Sequence, residues 1–233
     1  MDFWKLLILG VIAAGLILIL WTPPELPKLP EGVRVEEGTF RLLTKTAAQE
    51  EIFGIYPVDA GFRVVGIRHE KGKVLVEGDL LYAPNWTPLA GTITQRYPEE
   101  VRWLFAFTED TVVIRKQVGA KEFTETLTLS EQAFPFDSDL FIVWDPLFRA
   151  NVQGEVQLLD VRNAATYKIR IGPKEEVKLD VLGRPMPAER YPVTWDDSVV
   201  WIFRQGDLVI GLKSPEREGF LLEILPQGIH EVP

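Results

Sequence analysis

The sequence predicts an all-β domain: an antiparallel meander of curved sheets, closing as a half-barrel or a sandwich, behind one N-terminal transmembrane helix. Three observations predict it. Residues 3–21 read FWKLLILGVIAAGLILILW, with no charge from Leu6 to Leu20. From Thr39 onward, apolar and polar residues alternate over strand-length segments separated by short turns. The 233 residues include no cysteine, which removes disulfides, thiolate chemistry and the common structural zinc sites.

The first element is the apolar run. A helix from Trp4 to Trp21 would measure roughly 27 Å against a hydrocarbon core of about 30 Å. Tryptophan pairs an apolar ring with an N–H that wants a partner, so Trp4 and Trp21 are expected as membrane-interface anchors. Gly10 and Ala14 stand four apart and would let a second helix approach closely. A cleaved signal peptide needs small residues at its end; here LILILW runs into TPPELP, so residues 1–21 read as an uncleaved signal anchor. The short tail before Lys5 places the N-terminus in the cytoplasm and the following domain outside it, although Lys28 and Arg34 nearly balance the flanking charge.

Residues 22–38 form the next segment. Four prolines in TPPELPKLPE fix the backbone and remove donors, giving either an extended, semi-stiff linker or a strand-like segment lying along the domain. The β-rich extracytoplasmic domain then covers residues 39–233. The chain's net charge is −9 and residues 1–21 contribute one Asp and one Lys, so the acidity belongs to the remainder. Such a domain is a poor partner for nucleic acid, whose phosphates need clustered Lys and Arg, and lacks a polybasic grip on lipid headgroups. The bilayer is the expected partner, through the helix, with a lipid ligand or a membrane protein as a further one.

Within the domain, Val64 and Gly66 share a face, a Lys71-Gly72 turn follows, and Val74, Val76, Gly78, Leu80 and Tyr82 share the next. Further strands are expected near 50–56, 92–97, 101–107, 111–118, 139–144, 154–162, 165–171, 175–181, 190–195, 198–204, 207–213 and 219–225. Over 123–129, Phe123, Leu127 and Leu129 should be buried and Thr124, Thr126 and Thr128 exposed. Pro146-Leu147-Phe148 suits a helical turn. Trp103-Leu104-Phe105 is echoed by Trp201-Ile202-Phe203, which is either the chance likeness of hairpins of similar length or the mark of two related meanders, 39–145 and 150–233.

Chemistry-bearing residues are sparse. His69 reads as a strand-end residue and His230 lies three residues from the C-terminus; no G-x-S-x-G elbow surrounds any serine. No catalytic residue, metal ligand or cofactor motif is assigned. Asp137 and Asp139, flanking Ser138, keep open a carboxylate-dependent hydrolase. The aromatic-rich FPFDSDLFIVWDPLF segment is the more informative one. Its prolines interrupt pairing, and Phe134, Phe136, Phe141, Trp144 and Phe148 are the candidate surface for a lipid or a partner.

On the meander layout and on DSDLFIVWDPL and DLVIGLKSP, residues 39–233 resemble exported β-meander proteins of unknown function and the lipid- and lipoprotein-carrier half-barrels of bacterial envelopes. The single anchor before a β domain also looks like the layout of lipopolysaccharide-transport tethers. The resemblance implies an open half-barrel with an apolar interior and carries over no site residues. The expectation is a membrane-anchored, non-enzymatic envelope module that binds lipid or a protein partner. A structural subunit of a larger membrane complex is the alternative.

Overall fold

A computed structural model describes residues 36–44, 48–181, 184–196, 198–215 and 217–224. The expected anchor 1–21, with Trp4 and Trp21, and most of the 22–38 linker lie outside the described residues. Among the described residues no helix is long and apolar enough to cross a membrane.

The domain is all-β, an antiparallel meander curved into a half-barrel. Its first arm comprises β1 (Glu36–Thr44), β2 (Ala48–Val58), β3 (Gly61–Glu70), β4 (Lys73–Tyr82), β5 (Pro88–Gln95), β6 (Val101–Phe107), β7 (Thr111–Val118) and β8 (Lys121–Thr128). The chain then passes through β9 (Ala133–Phe136) and α1 (Trp144–Arg149). The second arm comprises β10 (Gly154–Asp160), β11 (Ala165–Ile171), β12 (Glu175–Val181), β13 (Arg184–Trp195), β14 (Ser198–Gln205), β15 (Leu208–Lys213) and β16 (Arg217–Ile224). One sheet runs β8-β7-β6-β5-β4-β3-β2-β1-β16-β15-β14-β13-β11-β10-β9, with β12 branching from β13. The first and last strands therefore join the arms, with Phe40 opposite Leu221. β9 closes the far end by pairing parallel with β10.

Local sequence explains most of this layout. Lys71 and Gly72 both take positive φ, 50° and 76°, the two-residue turn whose twist suits a hairpin. Period-2 alternation puts Val64 and Gly66 of β3, and Val76, Gly78 and Leu80 of β4, on the concave face. There they meet Phe40, Phe53, Ile55 and Ile93 from the first arm and Val193, Ile202 and Val209 from the second, all buried.

Two expectations are corrected. Residues 139–144 are not a strand: they turn and enter α1, which realises and lengthens the helical turn expected at Pro146-Leu147-Phe148. Their polar backbone is satisfied by turn bonds and by side chains rather than by a ladder. Phe123 is 54% exposed, because β8 overhangs the core and buries neither face; Leu127 alone in that strand is half-buried.

The concave face is filled from within the chain. Residues 133–149 cross it, and Leu140, Ile142 and Leu147 are each at most 2% exposed. Burying a side chain of this size stabilises by about 1.5–3 kcal/mol. Two glycines that face each other across β3 and β4 make the recess. A Cβ on Gly66 would stand 2.6 Å from Ile142 Cγ2 and 3.2 Å from Glu51 Oε1, and one on Gly78 would stand 2.5 Å from Leu140 Cδ1. Gly66→Val should therefore destabilise the domain by about 1–3 kcal/mol through overpacking, read as a shifted urea midpoint with an unchanged slope. A neutral result would mean that the crossing segment does not sit in this recess.

Candidate functional site

The five aromatics expected to form a binding surface lie in the core. Phe134, Phe136, Phe141, Trp144 and Phe148 are 3%, 9%, 3%, 5% and 2% exposed. Their rings join the two arms. Phe141 meets Phe40 of β1 at 4.2 Å between centroids; Phe136 meets Trp195, and Phe148 meets Tyr191, both of β13. All five are buried because the segment lies inside the half-barrel, so they form no exposed patch and the apolar interior is occupied.

Three buried carboxylates fasten this segment. Glu51 on β2 accepts the backbone N–H groups of Phe141 at 2.7 Å and Ile142 at 2.8 Å. Burial pushes its carboxyl up to about 7, against the opposing pull of those two bonds and of Arg68. Asp137 receives both Nε and Nη2 of Arg162, at 2.5 and 2.9 Å, and accepts the N–H of Asp139 at 2.7 Å. Asp145, fully buried, accepts the N–H of Val209 on β15 at 2.8 Å and pairs with Arg149 one helical turn away. Arg68 adds a fourth tie, donating to the carbonyl of Asp139 at 2.7 Å. The Asp137–Asp139 pair that keeps open a hydrolase is thus engaged by Arg162, which also reaches Asp139 at 3.0 Å. His69, at the end of β3, stands 4.0 Å from Glu50. Among the described residues no three His, Asp or Glu side chains gather as a metal site.

A separate groove of about 640 Å³ opens where β12, β13 and the β14–β15 turn converge. β12 pairs with the first half of β13, while the second half of β13 pairs with β11. That branch lifts the β12–β13 hairpin over β15, where Leu179 packs against Gly211. Val177, Pro187 and Ala188 give the groove apolar walls, and Glu176 and Lys178 stand exposed at its rim. Glu189 and Arg204, opposite each other on β13 and β14, supply its inner charges.

Those two charges differ in what already holds them. Glu189 pairs with Lys174 and accepts the Tyr191 hydroxyl at 2.8 Å, and the Lys174 ammonium holds its carboxyl below the ordinary value. Arg204 is 8% exposed, yet its Nε has no hydrogen-bond partner among the described residues. Its charge acts on the Glu189 carboxylate opposite and on the Tyr191 hydroxyl, its Nη2 reaches Asp207 at 3.8 Å, and its guanidinium lies 5.8 and 5.9 Å from the rings of Phe148 and Tyr191. The sequence marks this groove poorly. Arg204 stands in an ordinary strand, and the walls come from residues whose meeting depends on the β13 branch. A lone arginine beside an apolar Trp-Ile-Phe run was the available signal.

No protein-family model matches the chain, and no match is found among curated proteins. Among solved structures, the chain is similar to a crystal structure from Brucella abortus described as a beta-barrel-like protein of domain of unknown function DUF1849. The identity is 12%, the alignment covers 82% of this chain and 98% of that chain, and the TM-score is 0.47.

Proposed function

We propose that this chain is a non-enzymatic, membrane-anchored envelope module that binds an acyl-chain-bearing anion in the groove between β12, β13 and β14. The observation that carries the reading is a groove with apolar walls and a buried arginine, Arg204, at its inner side. An incoming carboxylate or phosphate would add a charge-assisted bond to the guanidinium at the inner end of the groove. The volume suits a small amphiphile, since ligand sites commonly span about 300–1,000 Å³. Membrane attachment through residues 1–21 is supported by the uncharged Leu6–Leu20 run and by the acidity of the remaining chain. The occupied half-barrel interior favours the groove over the interior as the lipid site.

The test is a titration of the full chain in mild detergent with a dansyl-labelled fatty acid and its uncharged methyl ester. Binding of the acid should weaken roughly tenfold or more in Arg204→Met, from the loss of a charge-assisted bond, with little change for the ester. Ala188→Trp should fill the groove and abolish both. Undiminished binding by Ala188→Trp would sink the reading.

A further inference from the structure

Among the described residues the strand order ends at β8, which is hydrogen-bonded on one side only, to β7. Seven of its eight residues, KEFTETLT, are exposed. Exposed edges are ordinarily shortened, bulged, broken by proline or lined with charge to block pairing with another chain, and of these devices β8 has only charge, in Lys121, Glu122 and Glu125. β8 contains no proline, and its ladder with β7 runs without a bulge from Lys121 to Thr128.

The free side of the strand can be assigned residue by residue. The Leu129 N–H donates to the Asp110 carbonyl at 2.7 Å, in register with the Thr111–Thr128 pairing. Antiparallel alternation then turns the N–H and C=O groups of odd residues toward β7, and those of Glu122, Thr124, Thr126 and Thr128 outward. Phe123 projects beside this edge, 54% exposed, flanked on the same face by Lys121 and Glu125. Neither Lys121 nor Glu125 makes an ion pair among the described residues, whereas Glu122 is held by Arg115 at 3.2 Å and Gln117 at 3.0 Å.

We propose that β8 is a dimerisation edge, pairing antiparallel with β8 of a second copy so that Phe123 lies opposite its own counterpart. In this register Glu122 and Thr124 form the hydrogen-bonded pairs, using the outward-facing groups. Phe123–Phe123 and Lys121–Glu125 form the non-hydrogen-bonded pairs, in which side chains approach most closely. The neighbouring registers that keep the hydrogen bonding are worse. Centring on Glu122 or Glu125 sets like charges opposite each other, and centring on Thr124 sets each Phe123 against Glu125. The two-fold arrangement is self-complementary, as a closed dimer requires. The occupant is identified by this fit of charge and ring to the strand's own reversed sequence.

The absence of native cysteine makes the register directly readable in the full chain held in mild detergent. Phe123→Cys should cross-link into a covalent dimer under mild oxidation, because facing non-hydrogen-bonded residues lie within disulfide reach. Glu125→Cys should not, since the two copies of residue 125 would stand about 13 Å apart, four residues along the strand. By light scattering, Glu125→Lys should weaken the dimer roughly tenfold, and Lys121→Glu combined with Glu125→Lys should restore it. Equal cross-linking at 123 and 125, no cross-linking at 123, or a charge swap that restores nothing would each overturn the proposal.

Discussion

The contribution of Glu51 to stability should fall as the pH rises from about 4.5 to about 7, and Glu51→Gln should remove it. The folded carboxyl of Glu51 is raised from 4.5 to about 7, chiefly by burial. Between those values the folded state binds more protons than the unfolded state, so unfolding free energy declines with pH. The contribution is fully present below about 4.5 and lost as the pH passes about 7. A shift of this size corresponds to about 3 kcal/mol, undiminished by solvent because the group is fully buried. Glutamine cannot lose a proton, and because its amide can accept only one of the two backbone N–H groups the variant also carries a cost that does not change with pH. Asp137 is also raised by burial, so the useful quantity is wild type minus variant, measured by urea unfolding at pH 5 and pH 8. A difference that does not change with pH would show that Glu51 does not titrate in the folded interior.

Asp145→Ala should cost about 3–5 kcal/mol, comparable to breaking other buried pairs. The side chain is fully buried and serves two partners from different parts of the chain: the Val209 N–H of β15 and Arg149 of α1. Alanine leaves that buried N–H without its acceptor and removes the carboxylate from a guanidinium whose side chain is 8% exposed. The variant should melt roughly 10 °C or more below the wild type. Adding Arg149→Met should recover part of the loss, since a neutral side chain needs no counter-charge; a double-mutant cycle measures the coupling. A loss below about 1 kcal/mol would mean that α1 is not tied to β15 in this way.

The two expectations concern one device. The segment inside the half-barrel is apolar enough to be buried anywhere, and the carboxylates set its register. Glu51 fixes Phe141 and Ile142, Asp137 binds Arg162, and Asp145 ties α1 to β15. A buried polar group in a satisfied network specifies one arrangement where apolar contacts alone would accept several.

The meander itself was legible in the sequence, because period-2 alternation and turn residues act locally. β3, the Lys71-Gly72 turn, β4 and β6 follow directly from their residues. Parts of the interior were legible too. Glu51 falls in phase with Phe53 and Ile55 of β2, which marks a carboxylate on the buried face, and Gly66 and Gly78 mark a close approach inside strands. The reading of FPFDSDLFIVWDPLF as a surface failed because a run apolar on every side gives no direction. Whether it faces solvent or core depends on what covers it. The sequence by itself determined strand content, turns, acidity, the absence of cysteine and the uncharged run at residues 6–20, all local or additive properties. Only the tertiary structure decided that β1 meets β16, that residues 133–149 fill the half-barrel, and that Val177, Ala188 and Arg204 share a groove. Those outcomes rest on pairings between residues far apart in the chain, whose register is set by the assembled sheet rather than by any local pattern.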